Sequence, residues 1–163
     1  MAIKQVRKIG DPVLRETSSE VEKIDRNMLD LVKNMLDTLQ DEGGVGLAAP
    51  QIGIKKRVII VRFEDKVQTY VNPEIEVMGN EMNEDDEGCL SIYSIQGFRV
   101  KRYSKIKVKA GDLRGRSVEF IAEDLLARII QHEVDHLNGK LFIDHLDADS
   151  KMELLKKIDE ITS

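Results

Sequence analysis

The chain has no tryptophan, four phenylalanines, three tyrosines and one cysteine in 163 residues. With so few rings, its core must be built from Leu, Ile, Val and Met. A lone Cys89 excludes an intramolecular disulfide, and by itself reads as a small buried hydrophobe. No apolar run approaches the ~20 residues of a membrane span. Met1-Ala2-Ile3-Lys4-Gln5 does not open a signal peptide. These absences point to a cytoplasmic protein with no membrane partner. Net charge is −5 and the isoelectric point near 5.3, which argues against DNA or general nucleic-acid binding. One basic stretch (Arg99, Lys101, Arg102, Lys105, Lys107, Lys109) alternates at its end with Ile106, Val108 and Ala110, as in a half-buried strand with a solvated lysine face.

No repeat, low-complexity tract or linker interrupts the sequence, so residues 1–163 read as a single domain. The content of 41% hydrophobic and 34% charged residues fits a globular rather than a disordered chain. The spacing predicts a helix over residues 24–42, with Asp25 as N-cap and Leu29, Val32, Met35, Leu36 and Leu39 along its apolar stripe. Gly43 and Gly44 end it. Strands are predicted at 57–63, 67–71, 75–78, 92–98, 105–110 and 117–122, with an acidic loop at 81–87 and a hairpin turn at Gly111 to Gly115. A second helix is predicted over 123–138, stopped by Gly139, and a third over 150–161. The order implies an α+β fold: mostly antiparallel sheet around a central helix, with an N-terminal and a C-terminal helix.

That central helix carries the strongest chemical signal. His132-Glu133-Val134-Asp135-His136 has the form H-E-x-x-H, so one helical turn brings both imidazoles to the same face, within reach of one metal ion. Leu125 and Ile129 continue the same stripe. Glu133 lies beside it, placed to move protons for a metal-bound water. His145 lacks such a pattern and reads as a surface or loop residue. The third ligand stays open. In the metzincin pattern Gly139 fits, but Phe142 stands where a third histidine belongs. A thermolysin-type site would draw on Glu153. Cys89, in Glu87-Gly88-Cys89-Leu90-Ser91, offers a thiolate, and the flanking Gly88 lets a backbone come close.

A small-residue segment runs from Gly43 to Gly53. Part of it, Gly44 to Ala49, satisfies G-x-G-x-x-A, but a helix precedes it and Pro50 blocks an early helix after it, so a dinucleotide site is excluded. It reads either as a plain helix-to-strand connection or as backbone against which another backbone can lie, with Gln51 as its hydrogen-bonding side chain.

Three segments, Gly44-Val45-Gly46-Leu47-Ala48-Ala49-Pro50-Gln51, Glu87-Gly88-Cys89-Leu90-Ser91 and His132-Glu133-Val134-Asp135-His136, stand in the order and spacing of the bacterial peptide deformylase motifs. The chain resembles that family from Gly10-Asp11-Pro12-Val13-Leu14 to the C-terminal helix. The resemblance implies removal of the formyl group from formyl-methionine on nascent peptides, near the ribosome exit. It implies Cys89, His132 and His136 as ligands of one divalent metal, Fe²⁺ favoured natively, with Zn²⁺, Ni²⁺ or Co²⁺ also accommodated. It implies metal-bound water as nucleophile, Glu133 as general base and acid, and Gln51 with the Leu90 N–H as oxyanion donors. The peptide is expected to pair with Val45-Gly46, near Gly88, and its methionine side chain to enter a pocket of Val45, Leu125, Ile129 and His132. This chain departs from many relatives at Tyr93-Ser94-Ile95-Gln96-Gly97, where proline commonly follows the cysteine motif. Arg99 or Arg102 is expected to steady Glu87 or the peptide's carboxyl end. Lys151, Lys156 and Lys157 read as a solvated face of the last helix, with ribosomal RNA as the alternative.

Overall fold

A computed structural model describes residues 2–163. The first helix, α1 (Arg26–Glu42), starts where Asp25 accepts a hydrogen bond from the Met28 N–H and ends at Gly43, whose φ of 67° suits glycine. Its buried stripe is Met28, Leu31, Val32, Met35 and Leu39. Leu29, expected in that stripe, faces outward. A short strand β1 (Gly46–Ala48) follows, then a 3-10 turn at Ala49–Ile52. The Gly43 to Gly53 segment is therefore ordered structure and not a plain connection.

A five-stranded antiparallel sheet runs in the order β1-β2-β3-β6-β7, with β2 Val58–Phe63, β3 Lys66–Val77, β6 Lys105–Gly111 and β7 Ser117–Glu123. Val58 and Ile60 point to the α1 face, Ile59 and Val61 to the opposite face, so β2 is covered on both sides. The two strands expected at 67–71 and 75–78 are one strand. β3 pairs first with β2 and then with β6, and its register shifts between Val71 and Glu74, where Asn72 has φ of 50° and Pro73 lacks an N–H. The Gly111 to Gly115 hairpin is present.

The acidic segment expected as a loop at 81–87 is strand β4 (Met82–Glu87), paired with β5 (Phe98–Tyr103) in a separate two-stranded ribbon. Acidic residues of β4 stand opposite basic ones of β5, Glu84 across from Lys101 and Asp86 across from Arg99. The strand expected at 92–98 is instead a 3-10 turn, Leu90–Ile92, followed by irregular chain up to β5. Positive φ at Tyr93 and Gly97 breaks extension, while Ile92 and Ile95 bury into a cluster with Phe98, Val100, Phe142 and Leu154.

Helix α2 (Asp124–Leu137) lies between the large sheet and the ribbon. Ala127, Ile130, Val134 and Leu137 pack on the sheet face made by Ala48, Ile59, Val61, Ile106 and Val108. Leu125, expected on the buried stripe, is 57% exposed. Helix α3 (Ala148–Thr162) closes the fold, capped by Asp147, and buries Leu154 alone. Among the described residues, no helix is long and apolar enough to cross a membrane.

Candidate metal centre

Because α2 is packed on nearly all sides, a polar group buried on it is costly unless it has a partner. His132 and His136, one turn apart, hold their rings 5.1 Å between centroids. Cys89 comes from the turn after β4, with its Sγ 3.3 Å from His136 Nε2. One ligand atom from each of Cys89, His132 and His136 lies within 4.8 Å of the others, and all three residues are buried. Burial would push the Cys89 thiol up, but the two neighbouring imidazoles hold it well below the usual thiol range. A thiolate beside two imidazoles is a donor set for a divalent transition metal. Phe142 is buried with its ring 6.2 Å from that of His132, and Glu153 is exposed on α3; neither joins the set.

Behind His132 stands a buried ion network. His132 Nδ1 lies 2.8 Å from Glu87 Oε1, which leaves Nε2 as the nitrogen free for a metal. Glu87 accepts from Arg102 Nε at 2.8 Å and Nη2 at 2.9 Å, and from Arg128 Nη1 at 2.6 Å. Burial opposes its charge, yet the Arg102 and His132 hydrogen bonds hold its carboxyl far below the usual carboxylate range. Of the two candidates, then, Arg102 steadies Glu87, while Arg99 bonds the Glu84 carbonyl at the surface. Arg102 Nη1 continues to Asp135 Oδ2 at 2.6 Å, which also lies 2.8 Å from His145 Nε2. His145 is exposed at the end of a short turn, as expected of a surface residue, and is also tied into the network. Arg128 was not anticipated: its partners Glu87, Val100 and Asn83 lie on other elements, and no linear pattern marks it.

Glu133 is buried, and burial, against the two imidazoles, raises its carboxyl above the usual glutamate range. Its Oε1 has no hydrogen-bond partner. Oε2 lies where a side chain at Gly46 would stand: a Cβ there would be 2.5 Å away. Gln51 is buried, and its Oε1 accepts from the Ala48 N–H at 2.9 Å. That bond turns its amide nitrogen toward Ser91 Oγ (3.0 Å) and Cys89 Sγ (3.7 Å). The Leu90 N–H opens the 3-10 turn after Cys89, a position with no acceptor inside the turn.

Gln51, Glu87, Cys89, Leu90, His132 and Glu133 line one open cavity of about 380 Å³. Val45, Gly46, Gly88, Leu125 and Ile129 all line it, as do Tyr93 and Ile95, which sequence reasoning left out. The exposure of Leu125 and Val45 follows from this, because both sit at the cavity mouth.

A family model described as polypeptide deformylase matches residues 3–152. The chain belongs to the peptide deformylase family. It is 47% identical over 143 residues to the peptide deformylase of Dictyoglomus thermophilum, covering 87% of this chain and 92% of that one. To the enzyme of Clostridium botulinum it is 49% identical over 145 residues, covering 88% and 97%. The crystal structure of a peptide deformylase from Legionella pneumophila superimposes with a TM-score of 0.91 at 39% identity, over 98% of this chain and 95% of that one. The α+β architecture and the Cys-His-His cluster are thus those of a metalloenzyme family.

Proposed function

We propose that this chain acts as one catalytic domain, residues 1–163, that removes the formyl group from the N-terminal formyl-methionine of new polypeptides and releases formate. Family membership supports the activity. The observation that carries the residue roles is that Cys89, His132, Glu133, Gln51 and Leu90 line one cavity, with His136 beside Cys89 and one Glu133 oxygen unpartnered.

Cys89, His132 and His136 would hold the ion, with Glu87 fixing the His132 ring. Bound there, the ion supplies a Lewis acid that polarises the formyl oxygen and acidifies a water molecule. Glu133 takes the proton from the attacking water and passes it to the departing amine as the formyl C–N bond breaks. Its raised proton affinity suits that shuttle. Gln51 Nε2 and the Leu90 N–H donate to the oxygen that gains charge, where one preorganised donor is worth about 3 kcal/mol.

β1 lies at the edge of the sheet, paired only with β2, so an extended peptide can add beside Val45-Gly46. The methionine side chain then enters the cavity between Val45, Leu125, Ile129 and His132. Gly88 lines the same cavity and adds no side chain to it. Such a substrate calls for action on nascent chains near the ribosome exit, in the cytoplasm. Fe²⁺ is the favoured ion, and Zn²⁺, Ni²⁺ or Co²⁺ fit the same donors. Matched iron and zinc preparations should differ strongly in kcat; equal rates would rule out the iron preference.

The deciding experiment is formate release from formyl-Met-Ala-Ser by iron-loaded protein. Steady release, abolished by Glu133→Ala with the metal retained, is the expected result. No release from the iron-loaded wild type would overturn the assignment.

A further inference from the structure

The N-terminal segment before α1 crosses both turns that carry the oxyanion donors. The Arg7 N–H donates to the Gln51 carbonyl at 2.7 Å, and the Ile9 N–H to the Ser91 carbonyl at 2.8 Å. Between them Lys8 Nζ reaches the Leu90 carbonyl at 2.7 Å, a contact linking residues 82 positions apart. The same ammonium stands over the Tyr93 ring, 5.3 Å from its centroid. Tyr93 is held at φ 60°, an unusual conformation for a bulky residue.

We propose that Lys8 is a positioning residue: through the Leu90 carbonyl it aims the Leu90 N–H at the oxygen that gains charge in deformylation. This rests on the deformylase reading above.

The geometry explains how a side chain outside the cavity acts on it. Leu90 N–H belongs to the Cys89–Leu90 peptide, whose carbonyl is held by the Ile92 N–H at 2.9 Å. The carbonyl of the next peptide, Leu90–Ser91, is held by Lys8. With both planes fixed, the φ and ψ of Leu90 are fixed, and so is the direction of its N–H. A charged donor makes a shorter and stronger bond than a neutral one. The Tyr93 face keeps the ammonium from swinging into solvent.

The test compares iron-loaded wild type, Lys8→Met and Lys8→Arg on formyl-Met-Ala-Ser, with hydrogen exchange of the segment containing residues 89–92 as a second readout. A mis-aimed donor costs less than an absent one, so Lys8→Met should lower kcat about tenfold. KM should stay within about twofold and metal content should be unchanged, because neither the pocket nor the ligands lose a group. Exchange at residues 89–92 should rise about tenfold while α3 is unaffected. Lys8→Arg, which keeps a charged donor, should recover kcat to within about threefold of wild type. Should Lys8→Met fail to fold, Lys8→Gln, too short to reach the carbonyl, carries the same readouts. A kcat within about twofold of wild type, or a loss confined to KM, overturns the role of Lys8 alone. A wild type that releases no formate overturns the deformylase reading and this proposal with it. Even then, the exchange readout reports whether Lys8 holds the turn.

Discussion

Glu133 shows how tightly single atoms are placed in this site. Its Oε2 occupies space that only glycine leaves open, since a Cβ at Gly46 would stand 2.5 Å from that oxygen and 3.0 Å from Cδ and Cγ. β1 cannot retreat, because Gly46 is paired with Val61 of β2. Gly46→Ala must therefore displace the carboxylate. A shift of about 1 Å in a reacting group costs on the order of 100-fold, so kcat/KM for formyl-peptide should fall by about that factor with metal content unchanged. Activity within threefold of wild type would show that another contact sets the carboxylate's position. Gly139→Ala acts by the same means on stability. Its φ of 73° and a Cβ only 2.6 Å from the Arg15 carbonyl should cost roughly 1–3 kcal/mol, read as a lower midpoint in urea. At this scale the sequence was only partly legible. Cys89, His132, Glu133 and His136 stand in motifs with a chemical reason for their spacing. Arg128 does not, because nothing in a linear pattern says which arginine a buried carboxylate will recruit. Nor could small-residue density at Gly46 name the atom that needs the space.

Between elements, the decisive contact is Glu87, which joins the β4–β5 ribbon to α2. Arg128 on α2 gives Glu87 one hydrogen bond, and also donates to the Val100 carbonyl on β5 and to Asn83 on β4. Replacing it by methionine keeps the apolar stem but leaves a buried carboxylate short of one cation and a carbonyl without a donor. Breaking a buried pair in this way costs about 3–5 kcal/mol, so Arg128→Met should lower unfolding free energy by that much in denaturant titration. A loss under about 1 kcal/mol would mean that Arg102 alone compensates the charge. The ribbon also shows where element prediction failed. Helix α1 and β2 were legible because their apolar spacing matches a helical or buried-strand period. β4 was not: Met82–Glu87 has no apolar alternation, and its acidic residues find basic ones opposite them only once β5 is beside it. Residues 92–98 failed the opposite way. Ile92 and Ile95 look like a strand face, yet they are buried from a turn.

Across the whole molecule, three apolar clusters meet at the metal helix or beside it, and two kinds of tie join parts distant in sequence. One is electrostatic. Arg15 and Asp144 form a two-bond pair at 2.6 and 3.2 Å, linking the N-terminal segment to the turn before α3, and Asp144 also accepts from the Leu141 N–H. Burial works against its charge, but Arg15 and the Leu141 N–H hold its carboxyl below the usual aspartate value of 3.8. A carboxyl with a lowered folded value adds stability that is complete above 3.8 and is lost as pH falls through the folded value. Asp144→Asn should thus be less stable than wild type near neutrality, by about 1 kcal/mol or less for so exposed a pair. The gap should close only in acid, below 3.8; a gap that stays constant down to acid unfolding would assign it to packing. The other tie is the metal set, which draws together the turn after β4 and the two ends of one α2 turn. Cys89 belongs to the apolar cluster with Phe98, Phe142 and Leu154, so an ion holding its thiolate to α2 also fixes that cluster against the helix. A ligand that binds only the folded state stabilises it by about 2.7 kcal/mol at 100-fold excess over Kd. Chelation should therefore lower Tm measurably, and re-addition of metal should restore it. Cys89→Ala should bind no ion and melt at one temperature with or without chelator. Retention of stoichiometric metal by that variant would remove the thiolate from the ligand set and return the site to an H-E-x-x-H protease design that has no use for Cys89.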